Sequence, residues 1–243
     1  ESHWVAVPGM SDLVTQWAQP LAAACQLELK TRVTRIERDA LDPAGWQLRT
    51  EAGEARHVYG GFDGVMLALP APQAADLLAT SGLSPKGLRK LASVDIAPCW
   101  TLMLAFPNAM QPDLVTLGPQ WNAARSTHHR VAWLARESSK PGRTPTERWT
   151  VQASAEWSRE HLQDDPARIE AKMLKAFTEV TGIYAAPAHT AVHRWRHART
   201  VKPLGQTHLW DAHTGIGACG DWCIGHRVED AFLSGLELAL AAG

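Results

Sequence analysis

The run Gly217-Ala218-Cys219-Gly220-Asp221-Trp222-Cys223, followed by Arg227-Val228-Glu229-Asp230-Ala231, restricts the fold more than any other stretch of the chain. The small residues up to Gly220 suit a strand that a second element approaches closely. The Gly-Asp pair then marks a corner, and a helix is predicted to begin near Val228. Small Ala231, Ser234 and Gly235 would let that helix pack close. A strand, a corner carrying a carboxylate and a helix start in succession belong to an α/β layer arrangement. The step occurs twice. Phe62 to Leu69 is nearly all apolar, as in a central strand covered on both faces; Pro70 stops it, and Ala71 to Leu78 forms a helix with proline in its first turn.

Other segments read by their periods. Leu13, Trp17 and Leu21 mark an amphipathic helix capped by Ser11-Asp12 and kinked or ended near Pro20. Leu27 to Val33 and Trp46 to Thr50 alternate as strands, with a turn over 51–54, giving a meander. From Val94 the texture becomes sheet-rich, with strands over 99–106, 130–135, 148–153 and 191–197. Asp165 as N-cap and Pro166 at the first position open a helix bearing Ile169, Met173, Phe177 and Val180 along one face, ending at Gly182. The fold class expected is α/β (α+β), and 243 residues allow one large domain or two modest ones.

A formal net charge of -1, from 24 Lys and Arg against 25 Asp and Glu, leaves no basic footprint for nucleic acid and no polybasic membrane patch. The longest apolar stretches, around Val65–Pro72 and Leu233–Ala242, are shorter than a spanning helix. Four scattered cysteines, Cys25, Cys99, Cys219 and Cys223, fit a reducing cytoplasm. Three residues separate Cys219 from Cys223, against the two of zinc knuckles and redox pairs. Glu1 in place of Met suggests a fragment or a processed chain.

Gly215-Ile216-Gly217-Ala218-Cys219-Gly220 matches G-x-G-x-x-G, but only 23 residues follow Gly220, too few for a nucleotide-binding βαβ unit. The better reading places the Asp221 carboxylate where it accepts hydrogen bonds from ribose or ribityl hydroxyls. The free N–H groups at the start of the next helix then face an electron-rich acceptor. A reduced flavin, negative near N1 and the C2 carbonyl, is such an acceptor, and a positive helix end favours it.

At this string the chain resembles the bacterial renalases, members of the FAD-dependent amine-oxidase superfamily. The resemblance extends over nearly all of the chain and includes Trp4-Val5, Pro8-Gly9-Met10-Ser11, Pro70-Ala71-Pro72-Gln73-Ala74, Leu134-Ala135-Arg136 with Ser139-Lys140-Pro141, Trp157-Ser158-Arg159 and His193-Arg194-Trp195, in order. It implies a discontinuous, incomplete Rossmann-like FAD domain over 1–93 and 205–243, and a substrate domain built on a mixed sheet over 94–204. It implies that the Val33 backbone meets the adenine side of FAD, that the Leu69-Pro70 strand end lies by the cofactor, and that Asp221 and Val228 sit against the ribityl chain and the ring. Gly220, Arg227, Glu229 and Ala231 complete the expected FAD set. Two departures stand out. The strand, G-x-G-x-x-G turn and acidic residue that hold the ADP half in this family are absent from the 243 residues, so weak FAD binding and exposed apolar surface at the vacant docking position are expected. Glu137 and Ser138, and Gly225-His226, also break the family pattern.

His193, Trp195 and His197 fall on one face of a strand, and the resemblance implies that His193 and Trp195 line the substrate pocket, with Trp195 stacking on a flat heterocycle; packing without chemistry is the alternative. Arg136 and Lys140 are either phosphate ligands or solvated. Cys223 is either a flavin-linked thiol or a small buried residue. His128-His129 carries no assigned chemistry. The expected function is oxidation of dihydro-NAD(P) by hydride transfer to FAD, with dioxygen as acceptor, giving NAD(P)+ and hydrogen peroxide. The alternatives are oxidation of a small amine, for which only Tyr59 and Tyr184 are available as tyrosines of an aromatic cage, and a non-catalytic remainder.

Overall fold

The computed structural model describes residues 4–24, 27–107, 121–144 and 146–243; Glu1 and Cys25, both used above, lie outside them. In chain order the elements are α1 (Met10–Ala23), β1 (Arg32–Arg38), β2 (Trp46–Ala52), β3 (Ala55–Phe62), β4 (Val65–Leu67), α2 (Ala71–Thr80), β5 (Asp95–Phe106), β6 (Ala123–Arg125), β7 (Val131–Arg136), β8 (Glu147–Ala153), α3 (Ala155–Glu160), α4 (Pro166–Thr181), β9 (His189–Lys202), β10 (Leu209–Asp211), β11 (Ile216–Ala218) and α5 (Val228–Ala242). They fall into two compact units, Glu1–Leu27 with Ala97–Ala198, and Glu28–Ile96 with Arg199–Gly243.

The first unit is a five-stranded sheet of order β6-β7-β8-β5-β9, in which β6–β7, β7–β8 and β8–β5 pair antiparallel. Helix α4 forms as its sequence dictates. The Asp165 carboxylate accepts from the N–H groups of Ala167 and Arg168, Pro166 occupies the first turn, and Gly182 ends the helix at φ 73°. Its buried Ile169, Met173, Ala176 and Phe177 share one core with Leu102, Leu104, Leu134, Trp149 and Val151. The N-terminal segment belongs to this unit, whereas the sequence reading put it in the other. The reason is packing at the loop before β8: a Cβ on Gly142 would lie 2.6 Å from the Val7 side chain. Helix α1 itself buries no residue. It starts at Met10, with Gly9 in the capping position instead of Ser11-Asp12, and runs through Pro20. The carbonyl that Pro20 leaves unpaired belongs to exposed Gln16, where solvent satisfies it.

The second unit holds the antiparallel meander β1-β2-β3 and a mixed sheet of order β10-β11-β4, with β11 and β4 parallel. Strand β1 begins at Arg32 and not at Leu27, because Lys30 adopts a left-handed φ of 55° that breaks the extended chain. Strand β4 is shorter and less covered than expected. Among the described residues it pairs only with β11, so Val65 and Leu67 are buried while Met66 is 50% exposed. Val228, Leu236 and Leu240 on α5 are also exposed. Ser234 and Leu238 carry the packing of α5: Ser234 is fully buried, and a Cβ on Gly217 of β11 would meet Leu238 at 2.6 Å. Ala231 is exposed and Gly235 meets nothing, so neither serves the close approach expected of it.

Candidate functional site

Strands β4 and β11 run in register, Val65 beside Ile216 and Leu67 beside Ala218, and therefore end together. In open α/β sheets, the crevice beyond such carboxyl ends is where ligands bind. Two long-range hydrogen bonds join the segments that leave them: Cys219 N–H donates to the Leu67 carbonyl at 3.1 Å, and the Trp222 indole N–H to the Leu69 carbonyl at 2.9 Å. The fold thus brings Leu69, Pro70, Gly220 and Asp221, all half-buried, to one corner. A Cβ on Gly220 would run into the Trp222 indole, which fixes glycine there, and the Gly220 N–H donates to the buried Ser234 hydroxyl at 3.0 Å.

Helix α5 opens beside this corner in sequence, with a capping box between Arg227 and Asp230 at its start. The Asp230 carboxylate accepts from the N–H groups of His226 and Arg227 just ahead of the helix, at 3.0 and 2.9 Å. Ala231 N–H donates to the Arg227 carbonyl and closes the first turn, which leaves Val228 and Glu229 to present the outward N–H groups. Val33 stands apart on β1, packed against the same core as Leu69.

Burial raises the Asp221 carboxyl above the usual carboxylate range, and the nearby Asp230 charge adds to this; the Trp222 N–H and His226 oppose it. The folded chain therefore binds a proton at Asp221 more tightly than the unfolded chain does. Its stability is expected to fall as pH rises from the ordinary carboxylate value through the raised one, and to level off above. Asp221→Asn removes this component, so melting curves of wild type and variant without added ligand should diverge in favour of the variant as pH rises over that window. Parallel curves would show that the carboxylate does not titrate as described.

Cys223 is fully buried and burial pushes its thiol up to about 11, so the packing role fits it and a thiolate does not. His193 and Trp195 lie in the other unit, on β9, their rings 4.2 Å apart. Val192 packs on the core while Trp195 is 52% exposed, but the alternation lapses after it, with Arg196 exposed as well and His197 half-buried. Arg136 and Lys140 do not stand open for a phosphate. Arg136 binds the Glu147 carboxylate through two nitrogens at 2.8 Å, and Lys140 pairs with Glu137 at 2.7 Å. Among the described residues no cluster of His, Cys, Asp and Glu suits a metal, and no helix is long and apolar enough to cross a membrane. The sequence reading missed Trp222 as the clasp between the two corner segments, which no motif flags.

The corner combines a half-buried carboxylate, a glycine against which the Trp222 indole packs, and the start of helix α5. Comparison with known proteins gives the family. A sequence model of the family "Flavin containing amine oxidoreductase" matches residues 1–241. The chain is 22% identical to mouse (Mus musculus) renalase over 210 residues, 84% of this chain and 57% of that protein. Among solved structures it resembles a candidate protoporphyrinogen oxidase from Exiguobacterium sp. 255-15 (TM-score 0.64, 13% identity, 95% of this chain and 51% of the other). It also resembles cyclohexylamine oxidase from Brevibacterium oxydans IH-35A (TM-score 0.64, 14% identity, 96% and 52%). The chain thus spans between half and three-fifths of the length of these relatives.

Proposed function

Since this chain belongs to the flavin-containing amine oxidoreductase family, a family that works with FAD, we propose that it is part of a renalase-type oxidoreductase. Its donor is a dihydro form of NAD(P), oxidised to NAD(P)+ while dioxygen is reduced to hydrogen peroxide. The observation that carries this reading is the convergence of Leu69, Pro70, Gly220 and Asp221 at the shared end of β4 and β11. When bound, FAD supplies hydride acceptance and the reduction of dioxygen.

The chain's own residues bind and orient. Asp221 accepts hydrogen bonds from ribityl hydroxyls, and the Trp222-to-Leu69 bond keeps the two corner segments at a fixed separation. The outward N–H groups of Val228 and Glu229 favour negative charge where they point. Gly220 leaves room for close approach, Arg227 and Ala231 define the helix start, and Val33 meets the adenine side. In this reading the unit 28–96 with 199–243 is the FAD-binding part. The sheet unit holds the donor, with His193 and Trp195 lining its pocket. Oxidation of a small amine is the second reading, with Tyr59 and Tyr184 as the tyrosines available for a cage.

Anaerobic mixing of the flavin-loaded protein with dihydronicotinamide dinucleotides and, separately, with small alkylamines tests the donor. Bleaching of the flavin band by the dinucleotides alone is expected. Bleaching by the amines alone would make the protein an amine oxidase, and bleaching by neither would leave a non-catalytic flavin binder.

A further inference from the structure

Two guanidinium groups on the sheet unit each hold a buried Nε that has no partner among the described residues. The Nε atoms of Arg143 and Arg148 are shielded from solvent and make no hydrogen bond, and neither side chain forms an ion pair among the described residues. Buried polar atoms are nearly always paired, so two adjacent orphans call for an explanation. Both residues line one cavity of about 280 Å³, together with Met103, Ala105, Glu137 and His189.

Strand register explains how the cavity forms. Leu104 pairs with Trp149 and both are buried in the core, so their neighbours Ala105 and Arg148, also paired, emerge on the opposite face. Arg143 enters from the loop ahead of β8, where Gly142 turns at φ 68° against Val7. The one carboxylate lining the cavity, Glu137, is already neutralised by Lys140 at 2.7 Å. The Asp12 carboxylate lies near Gly9, as does Arg143 Nη1, but does not pair with it. The cavity therefore presents two uncompensated positive forks, the geometry that suits phosphoryl oxygens.

We propose that this cavity binds the phosphoryl oxyanions of a nucleotide ligand. In the function proposed above these belong to the pyrophosphate of the dinucleotide donor, an identification that rests on that reading. Calorimetric titration of the 243-residue chain with ADP-ribose and with inorganic pyrophosphate tests it. ADP-ribose is expected to bind at least as tightly as pyrophosphate. Arg143→Gln and Arg148→Gln should each weaken it about tenfold or more, since each removes a charge-assisted hydrogen-bond donor. Arg148→Lys should keep part of the affinity, and Arg125→Gln, exposed on the same sheet and outside the cavity, should leave it unchanged. Neither glutamine variant breaks an existing bond, so their melting temperatures should match wild type and separate lost binding from lost folding.

Affinity unchanged in both variants, or no binding of either probe by wild type, would overturn the proposal. Binding of pyrophosphate with exclusion of ADP-ribose would overturn the nucleotide assignment in favour of a free anion. If ADP-ribose binds as expected while dihydronicotinamide dinucleotides fail to bleach the flavin, the donor reading falls and this site stands.

Discussion

Replacing Asp221 by Ala is expected to weaken FAD binding by about 10- to 100-fold, the loss of one or two hydrogen bonds to a charged acceptor. The carboxylate is half-buried at the corner and accepts one bond from within the chain, from Trp222 N–H at 2.9 Å, which leaves lone pairs for ligand hydroxyls. Asp221→Asn keeps the shape and one acceptor oxygen, so it should lose less affinity than Asp221→Ala while gaining stability without ligand at neutral pH. That opposition is the mark of a binding group: the folded chain tolerates an unfavourable carboxylate whose benefit arrives with the ligand. An Asp221→Ala protein with wild-type affinity would remove the corner from the site.

Replacing Arg136 by Ala is expected to lower stability by roughly 2 to 3 kcal/mol, at the lower edge of the range for breaking a buried pair because Arg136 keeps some exposure. Its partner Glu147 is 6% exposed and, without the guanidinium, would retain only the Ser138 hydroxyl at 3.0 Å. Denaturant unfolding measures the change, and ADP-ribose affinity measured alongside should stay near wild type. Unchanged stability with lost affinity would restore Arg136 as a phosphate ligand.

These two residues show where the sequence was legible. Helix α4 was readable to the residue because Asp165, Pro166 and Gly182 act within a turn of where they stand. The Gly-Asp corner and the start of α5 at Val228 were readable for the same reason. The partner of β11 was not: its pairing with β4 joins Ala218 to Leu67 far along the chain, and no local pattern encodes it. Nor does alternation reveal how many neighbours a strand has, which is why β4 looked doubly covered and proved half-open. The arginines make the same point. Arg136, Lys140, Arg143 and Arg148 are equivalent in a polar, turn-rich stretch until the fold assigns Glu147 to the first and Glu137 to the second, leaving the other two without an ion pair among the described residues. Helix α1 buries nothing, so its own pattern names no partner, and only the fold groups its segment with the sheet unit.

The central claim is that the shared end of β4 and β11, with the start of α5, forms the ring and ribityl half of a flavin site. Equilibrium dialysis of the chain against FAD, with riboflavin in parallel and uptake read at about 450 nm, tests it most directly. Saturable uptake of both, reduced in Asp221→Ala, is the predicted result, because the corner contacts do not require the ADP half. Uptake of neither, or uptake that Asp221→Ala leaves unchanged, would contradict it.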